Sequence, residues 1–439
     1  MSKPRLLLVL TEFPPSFGGM QTHAVEMAAQ FHSTGYEILV LTYRPSSADR
    51  AAADTFDLAQ PYPIQRCLSR LAYWSNVAAI AHAASQHHAE IIYSSTVYYG
   101  QAATRARLPI VCRSAGNDVL RPWIAWPFRF GSSLLNAPIF ERSLYPWLRK
   151  RHWPERMDAF LLESRQTVLR ESAAAMSHIS ANSEFSCRAL RDLGVEASRL
   201  ECAPGGVDPT RFTPALSDRD ALAWPSDAFM LFTACRLVEK KGLPLLLEAV
   251  ARLAPKIPQL RLAIAGEGPE RARLEAQAAS LRISDRLHWC GRLDSASLAN
   301  AYCSADLFVF PSRTVRRKNG WLDAETMGRV LCEANASGLP VVAANTGGIP
   351  SVIRDGKNGM LFAESDSAEL SGAILRLYVD PSLRARLARE GRKRALRDFA
   401  WSRIVARQRS VIARVLMEGE SSIITEKVGV TKPRVLESD

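Results

Sequence analysis

Residues 308–350 read FVFPSRTVRRKNGWLDAETMGRVLCEANASGLPVVAANTGGIP, and their reading decides the fold. A short apolar run ends at Pro311 and Ser312. A polar loop, an Ala/Leu-rich helical segment, a second apolar run (Leu339 to Ala344) and the turn Thr346-Gly347-Gly348 follow. Strand, loop, helix, strand and glycine turn in this order is a βαβ unit of the nucleotide-binding kind. Glu325 and Glu333 stand with seven residues between them, Gly328 among these. Spacing alone is not diagnostic, because Glu267 and Glu275 repeat it on what reads as a solvated helix face. Context separates the two pairs. Glu325 precedes the helix and Glu333 lies about a turn and a half inside it, so both face whatever occupies the loop mouth. Gly328 admits close approach, and the first-turn amides attract phosphate. Carboxylates for hydroxyls beside amides for phosphate suit a nucleotide sugar.

The block resembles the signature of the retaining glycosyltransferases of family 4 (glycosyl transferases group 1). There Glu, seven residues and Glu are followed by a small-residue helix, a Gly-(Leu/Val)-Pro-Val-Val strand and a Thr-Gly-Gly turn. The resemblance implies the GT-B fold, two Rossmann-like doubly wound parallel-sheet domains facing across a cleft. It gives Glu325 to the donor sugar's hydroxyls and Glu333 to the ribose, with Met327, Gly328 and Arg329 among the donor contacts.

Other segments match the same family. Cys235-Arg236-Leu237-Val238-Glu239-Lys240-Lys241-Gly242 resembles its Gly-Arg-Leu…Lys-Gly motif. By that resemblance Arg236 and Lys241 hold the donor diphosphate, with Lys240 the weaker candidate. The chemistry agrees: a departing diphosphate gains charge, and two fixed cations stabilise it without a metal. Near the N-terminus, strand Leu6 to Leu10 enters a Pro14-Pro15…Gly18-Gly19 loop at a helix start. The family's similar loop closes over donor and acceptor, which assigns Gly18 and Gly19 to the site. His23 reads as a helix-surface residue rather than a catalytic one. Arg292, after a Gly291 turn, is a candidate to stack on the nucleobase. Many relatives carry His-Gly-x-Asp where this chain has Ala115-Gly116-Asn117-Asp118. The missing histidine does not abolish retaining transfer if the leaving phosphate is the base, and Asn117 and Asp118 remain acceptor- or sugar-side candidates. Ser351 stands where relatives often have Glu.

With 439 residues the chain accommodates two domains, each with its own core. The expected division is 1–215 for an acceptor-side domain, a linker near 215–226, and 226–400 for a nucleotide-sugar domain. Residues 401–420 form a final helix packing back on the first domain, and 421–439 a flexible tail. No run approaches the roughly 18 apolar residues of a membrane span, and the short apolar N-terminal stretch reads as a buried strand, not a signal peptide. The eight cysteines are scattered without CxxC, so no zinc site and no disulfide framework is expected and a cytoplasmic setting fits. A net charge of +12 invites anionic partners, and no nucleic-acid module is visible. Residues 119–170 combine Arg and Lys with four tryptophans. That stretch is either a membrane-interface or lipid-acceptor wall or a helical excursion with solvated arginines. Arg313, Arg316, Arg317 and Lys318 form a basic cluster, either solvated or supporting phosphate.

These readings converge on an expected activity. A hexose or hexosamine moves from a UDP- or GDP-sugar to a hydroxyl of a glycan or lipid-linked acceptor in cell-surface polysaccharide (for example lipopolysaccharide) synthesis. Metal ligands and cofactors are expected to be none, and contact with the inner membrane face peripheral. The alternatives are a non-catalytic nucleotide-sugar-binding protein, motivated by Ala115, and a nucleotide-sugar epimerase.

Overall fold

The computed structural model describes residues 4–16, 18–122, 153–214, 217–317 and 321–427, with residues 124, 127, 147 and 151. Among the described residues, fifteen strands build two large parallel sheets and one small hairpin. The first sheet holds β1 (Arg5–Val9), β2 (Glu37–Tyr43), β3 (Ile64–Leu68), β4 (Ile91–Ser94), β5 (Ile110–Ser114), β6 (His178–Ala181) and β7 (Leu200–Cys202), in the order β3-β2-β1-β4-β5-β6-β7. The second sheet draws on β8 (Phe229–Ala234), β9 (Leu260–Ala265), β10 (Leu287–Gly291), β11 (Leu307–Phe310), β14 (Val341–Ala344) and β15 (Met360–Phe362). Its order is β10-β9-β8-β11-β14-β15. Between them in sequence, β12 (Val315–Arg316) and β13 (Leu322–Asp323) form a two-stranded antiparallel hairpin.

The strand sequences explain the layering. Phe229–Ala234 is buried at every position, as a strand covered on both faces must be. Alternate residues then divide between the two faces. Leu7, Val9, Leu39 and Leu41 join one core layer, and Leu6, Leu8, Ile38 and Val40 join the other. The second sheet divides likewise, with Met230, Phe232 and Phe308 on one side and Leu231, Leu307 and Val309 on the other.

In each sheet the strand order reverses once, between β1 and β4 in the first and between β8 and β11 in the second. A crevice opens at the carboxyl ends of strands beside such a reversal. The two crevices face each other.

The segment that crosses between the domains is packed, not free. The chain leaves the first sheet after Cys202, and Val207, Phe212 and Trp224 already pack in the core of the second domain. The crossing is tied by backbone. Gly206 and Val207 donate to the Phe399 carbonyl at 2.9 and 3.0 Å, and Trp401 N–H returns to Val207 O at 3.1 Å. The last helix, Trp401–Lys427, lays Trp401, Ile404, Val405, Ile412 and Val415 on the outer layer of the first sheet. Gln408 is fully buried there and donates to Ser180 Oγ at 2.9 Å. The helix runs through Lys427, so the expected tail from 421 begins as helix, and residues 428–439 lie outside the described ones. Within the aromatic and basic stretch at 119–170, most of residues 123–152 also lies outside them, before the helix Trp153–Ala174.

Ile412 tests the returning helix. Truncation to Ala should cost about 2–5 kcal/mol, read as a lower urea midpoint at unchanged m-value. A loss near zero would show that the helix is not part of the first domain's core.

Candidate active site

A cavity of about 580 Å³ fills the space between the facing sheet ends. The first domain contributes Glu12, Gly18, Gly19 and His23 after β1, Ser95 after β4, Arg113, Ala115 and Asn117 around the end of β5, and Asn182 after β6. The second contributes Cys235, Arg236, Lys240 and Lys241 after β8, and Asp323 and residues 325–330 beyond β11. Direct contacts cross the cleft. Asn182 Nδ2 donates to Thr326 Oγ1 at 3.2 Å, Gly205 N–H to Met327 Sδ at 3.2 Å, and Glu184 N–H to Ser351 Oγ at 3.0 Å.

Backbone contacts fix where the functional loops stand. A Cβ on Gly242 would fall 1.9 Å from the Pro311 carbonyl oxygen, and one on Gly348 1.7 Å from that of Thr326. Gly348 N–H also donates to Glu325 O at 2.8 Å. The Thr-Gly-Gly turn therefore serves as the bed on which the Glu325–Thr326 backbone lies.

Above that bed Lys241 Nζ donates to Glu325 Oε2, and it also stands 4.7 Å from the centre of the Phe310 ring. Burial alone would raise the Glu325 pKa, but Lys241 and Lys240 outweigh it and hold the carboxyl below its ordinary value. Arg236 is exposed to the cavity, and no carboxylate among the described residues pairs with it. Gly328 caps the helix Arg329–Ala336 with φ +83°. Its first turn lines the cavity. In all, Arg113, Arg121, Arg236, Lys240, Lys241, Arg317 and Arg329 line this space against Glu12, Asp323 and Glu325. Cations exceed carboxylates, as an anion site requires.

Arg236, Lys241, Glu325, Met327, Gly328, Arg329, Gly18, Gly19 and Asn117 thus share one cavity. Glu333 and Arg292 line an adjoining lobe of about 270 Å³. That lobe shares Gly18, Gly19, Arg329 and Trp401 with the first. Glu333 is buried, accepting from Tyr302 OH at 3.0 Å, with Arg329 Nε 3.1 Å from its other oxygen. Asp118 does not line either lobe. Its carboxylate accepts from Val97 N–H at 2.9 Å and Ser114 Oγ at 2.7 Å, and burial raises its pKa. It braces the turn after β5 and offers nothing to a ligand.

His23 departs from the surface reading. Arg113 NH1 lies 3.1 Å from its Nδ1 and the ring packs against Trp401 at 5.4 Å. Burial first, then Arg113 and Arg329, lower its pKa well below the ordinary value, so the ring is neutral. Since a guanidinium only donates, Nδ1 accepts and Nε2 carries the proton. Asp323 was not foreseen either. Lys240 at 3.0 Å, Arg121 at 3.2 Å and Arg317 at 3.2 Å converge on it. The pair with Arg121 spans the cleft, and Lys240 also donates to Ala324 O at 3.3 Å, beside Glu325. A lone Asp after a Trp-Leu pair carries no motif that would have revealed this. Of the basic cluster, Arg313 and Arg317 pair with Glu239 at 2.8 and 2.9 Å, and Lys318 lies outside the described residues.

The family description "Glycosyl transferases group 1" matches residues 216–394, and "Glycosyltransferase Family 4" matches residues 17–211. A Corynebacterium glutamicum protein is 27% identical over 91% of this chain and 96% of its own. It is named GDP-mannose-dependent monoacylated alpha-(1-6)-phosphatidylinositol monomannoside mannosyltransferase. A Mycolicibacterium smegmatis protein is 29% identical over 90% of this chain and 95% of its own. Its name is GDP-mannose-dependent alpha-(1-6)-phosphatidylinositol monomannoside mannosyltransferase. The crystal structure of HepE from Anabaena in complex with UDP superposes with a TM-score of 0.71 at 21% identity, covering 94% of this chain and 100% of that one. At that identity the likeness is one of fold.

The Lys241–Glu325 pair has a pH signature. A carboxyl held below its ordinary value adds stability that is present above about pH 4.3, the unperturbed value, and is lost as pH falls through the folded value. Wild type should therefore exceed Glu325→Gln in thermal stability at pH 7, and the gap should close only in strong acid. A gap independent of pH would contradict the pairing.

Proposed function

Since this chain belongs to glycosyltransferase family 4, we propose that it moves mannose from GDP-mannose to a hydroxyl of a lipid-linked glycan acceptor, with retention and without a metal. The observation that carries this reading is the grouping of Arg236, Lys241 and Glu325 beside the start of the Arg329–Ala336 helix. The donor's diphosphate lies against Arg236, Lys241 and the helix amides. Its nucleoside extends into the lobe of Arg292 and Glu333, where the ribose displaces Arg329 from the Glu333 carboxylate. The sugar hydroxyls meet Glu325. GDP-mannose is preferred because two relatives spanning nine-tenths of the chain carry it in their names.

In the transfer, the bond from the anomeric carbon to the β-phosphate oxygen breaks and the electron pair stays on phosphate. The acceptor hydroxyl attacks from the same face, and its proton passes to that phosphate oxygen. Arg236 and Lys241 stabilise the charge that develops there, a task fixed cations perform without reorganising. The acceptor enters from the side of Asn117. Closure of the cleft excludes water, which would otherwise intercept the sugar. The net positive charge also favours docking on an anionic membrane face.

Removing a fixed charge-stabilising group typically costs about 10²–10³ in kcat. Lys241→Ala and Arg236→Ala should each lose activity on that scale in a GDP-mannose assay with lipid-linked acceptor. Full activity in both variants, or transfer from UDP-sugars alone, would refute the reading. Product of inverted anomeric configuration would remove retention. Turnover should persist in excess chelator, and a loss restored by magnesium would remove the metal-free mechanism.

A further inference from the structure

Away from the cavity, the root of the interdomain crossing carries a cluster that the transfer reaction does not use. Cys187 lies in the helix Glu184–Asp192 and Cys202 ends β7, the strand from which the chain departs for the second domain. Helix and strand pack together, which brings the two thiols face to face. Glu184 opens the same helix, and its carboxylate reaches the same spot. The two Sγ atoms and one Glu184 oxygen all lie within 4.8 Å of one another. Cys187 is buried, Cys202 half-buried and Glu184 exposed, so the cluster has a dry floor and a solvent-facing mouth.

We infer that Glu184, Cys187 and Cys202 form a binding site for a thiophilic divalent cation of the zinc class, with water as the remaining ligand. The chemistry of the donor set fits. Two sulfurs select a soft or borderline ion over magnesium or calcium. Zinc takes sulfur at about 2.3 Å and carboxylate oxygen at about 2.0–2.2 Å, so its ligand atoms stand about 3.5–4 Å apart. Drawing the three groups in by about an ångström is within reach of an exposed glutamate side chain. Scattered cysteines 15 positions apart gave no spacing signal, because the pairing depends on a helix folding back over its neighbouring strand.

The position has a consequence for the cleft. Glu184 N–H donates to Ser351 Oγ of the second domain, and Asn182, two residues earlier, donates to Thr326 Oγ1. On the other side Ala203, next to Cys202, and Gly205 give their carbonyls to Arg113 NH2 at 3.0 and 3.2 Å. A metal joining residues 184, 187 and 202 would lock the helix start to the beginning of the crossing. Its effect on the enzyme is then on the relative freedom of the two domains and not on the reacting groups.

Cobalt(II) is the probe, because cobalt thiolates absorb strongly in the near ultraviolet. The reduced full-length chain should bind one cobalt with sulfur-to-metal absorption, and zinc should displace it. Cys187→Ser and Cys202→Ser should abolish that band. Glu184→Gln, an exposed change that leaves the core intact, should weaken cobalt about tenfold or more, given that even outer-shell partners are worth that much. Zinc should also raise the Tm of wild type and leave that of Cys202→Ser unchanged. Absence of a sulfur-to-cobalt band, a band that persists in the Cys187→Ser/Cys202→Ser double variant, or isolation of the pair as a disulfide in chain purified without reductant would each overturn the site. None of these results bears on sugar transfer, which is read separately.

Discussion

The carbonyl groups of Glu325 and Thr326 lie against Gly347 and Gly348 at distances that leave no room for any side chain. That contact of backbone on backbone is the constraint on which the site depends. It fixes the height of the loop beyond β11, and so the height of Glu325 above the sheet. Gly242 meets Pro311 O in the same manner, which fixes the loop beyond β8 and with it Lys241. Once both loops are pinned to the sheet ends, the lysine and the glutamate have little freedom but to meet. Pre-organisation of this kind is what a site stabilising transient charge needs.

The two domains are joined by more than their linker. The last helix abandons the second domain and completes the outer layer of the first sheet, while Val207 and Ala400 pair at the crossing. Chain therefore passes between the domains twice at one place, next to the cavity. Arg113 adds a brace there, with its guanidinium buried and shared between His23 and the carbonyls of Ala203 and Gly205. A movement of the domains must turn about this point. The contacts of Asn182 with Thr326 and Arg121 with Asp323 lie farther along the cleft and are the ones a hinge motion would make and break.

What was legible in the sequence was local. Alternating buried runs declared parallel strands, and the motif around Glu325 lay within one βαβ unit, so its residues fell together as soon as the unit folded. Arg236 and Lys241 were assigned through their resemblance to the family's Gly-Arg-Leu…Lys-Gly motif, and the loop after β8 carries both to the cavity. The misreadings share a cause, which is partners distant in sequence. Asp118 looks like a ligand until Val97, 21 residues away, claims its oxygen. Asp323 has no motif, yet gathers Arg121 and Lys240 from far along the chain. The path of the crossing was less legible for a related reason: Pro214 and Pro225 interrupt the pattern visibly, whereas the departure from the first sheet after Cys202 is marked only by where Val207 and Phe212 find their core.

Adjacent lysines illustrate how the fold turns a general basic character into a specific one. Lys240 and Lys241 share the single turn Glu239–Lys241, but their side chains go to different carboxylates. Lys240 joins Arg121 and Arg317 on Asp323, whose pKa burial would raise and these cations lower. One carboxylate with three cations stays satisfied if any one of them leaves, so this cluster can hold the loop while the cleft changes shape. Glu325 has Lys241 as its close partner. In the proposed reaction an arriving diphosphate competes for Lys241, and each step by which the lysine turns towards phosphate leaves Glu325 freer to accept from sugar hydroxyls. On that proposal the ion pair prepares both halves of the donor's binding at once, in a cavity whose lining cations outnumber its carboxylates.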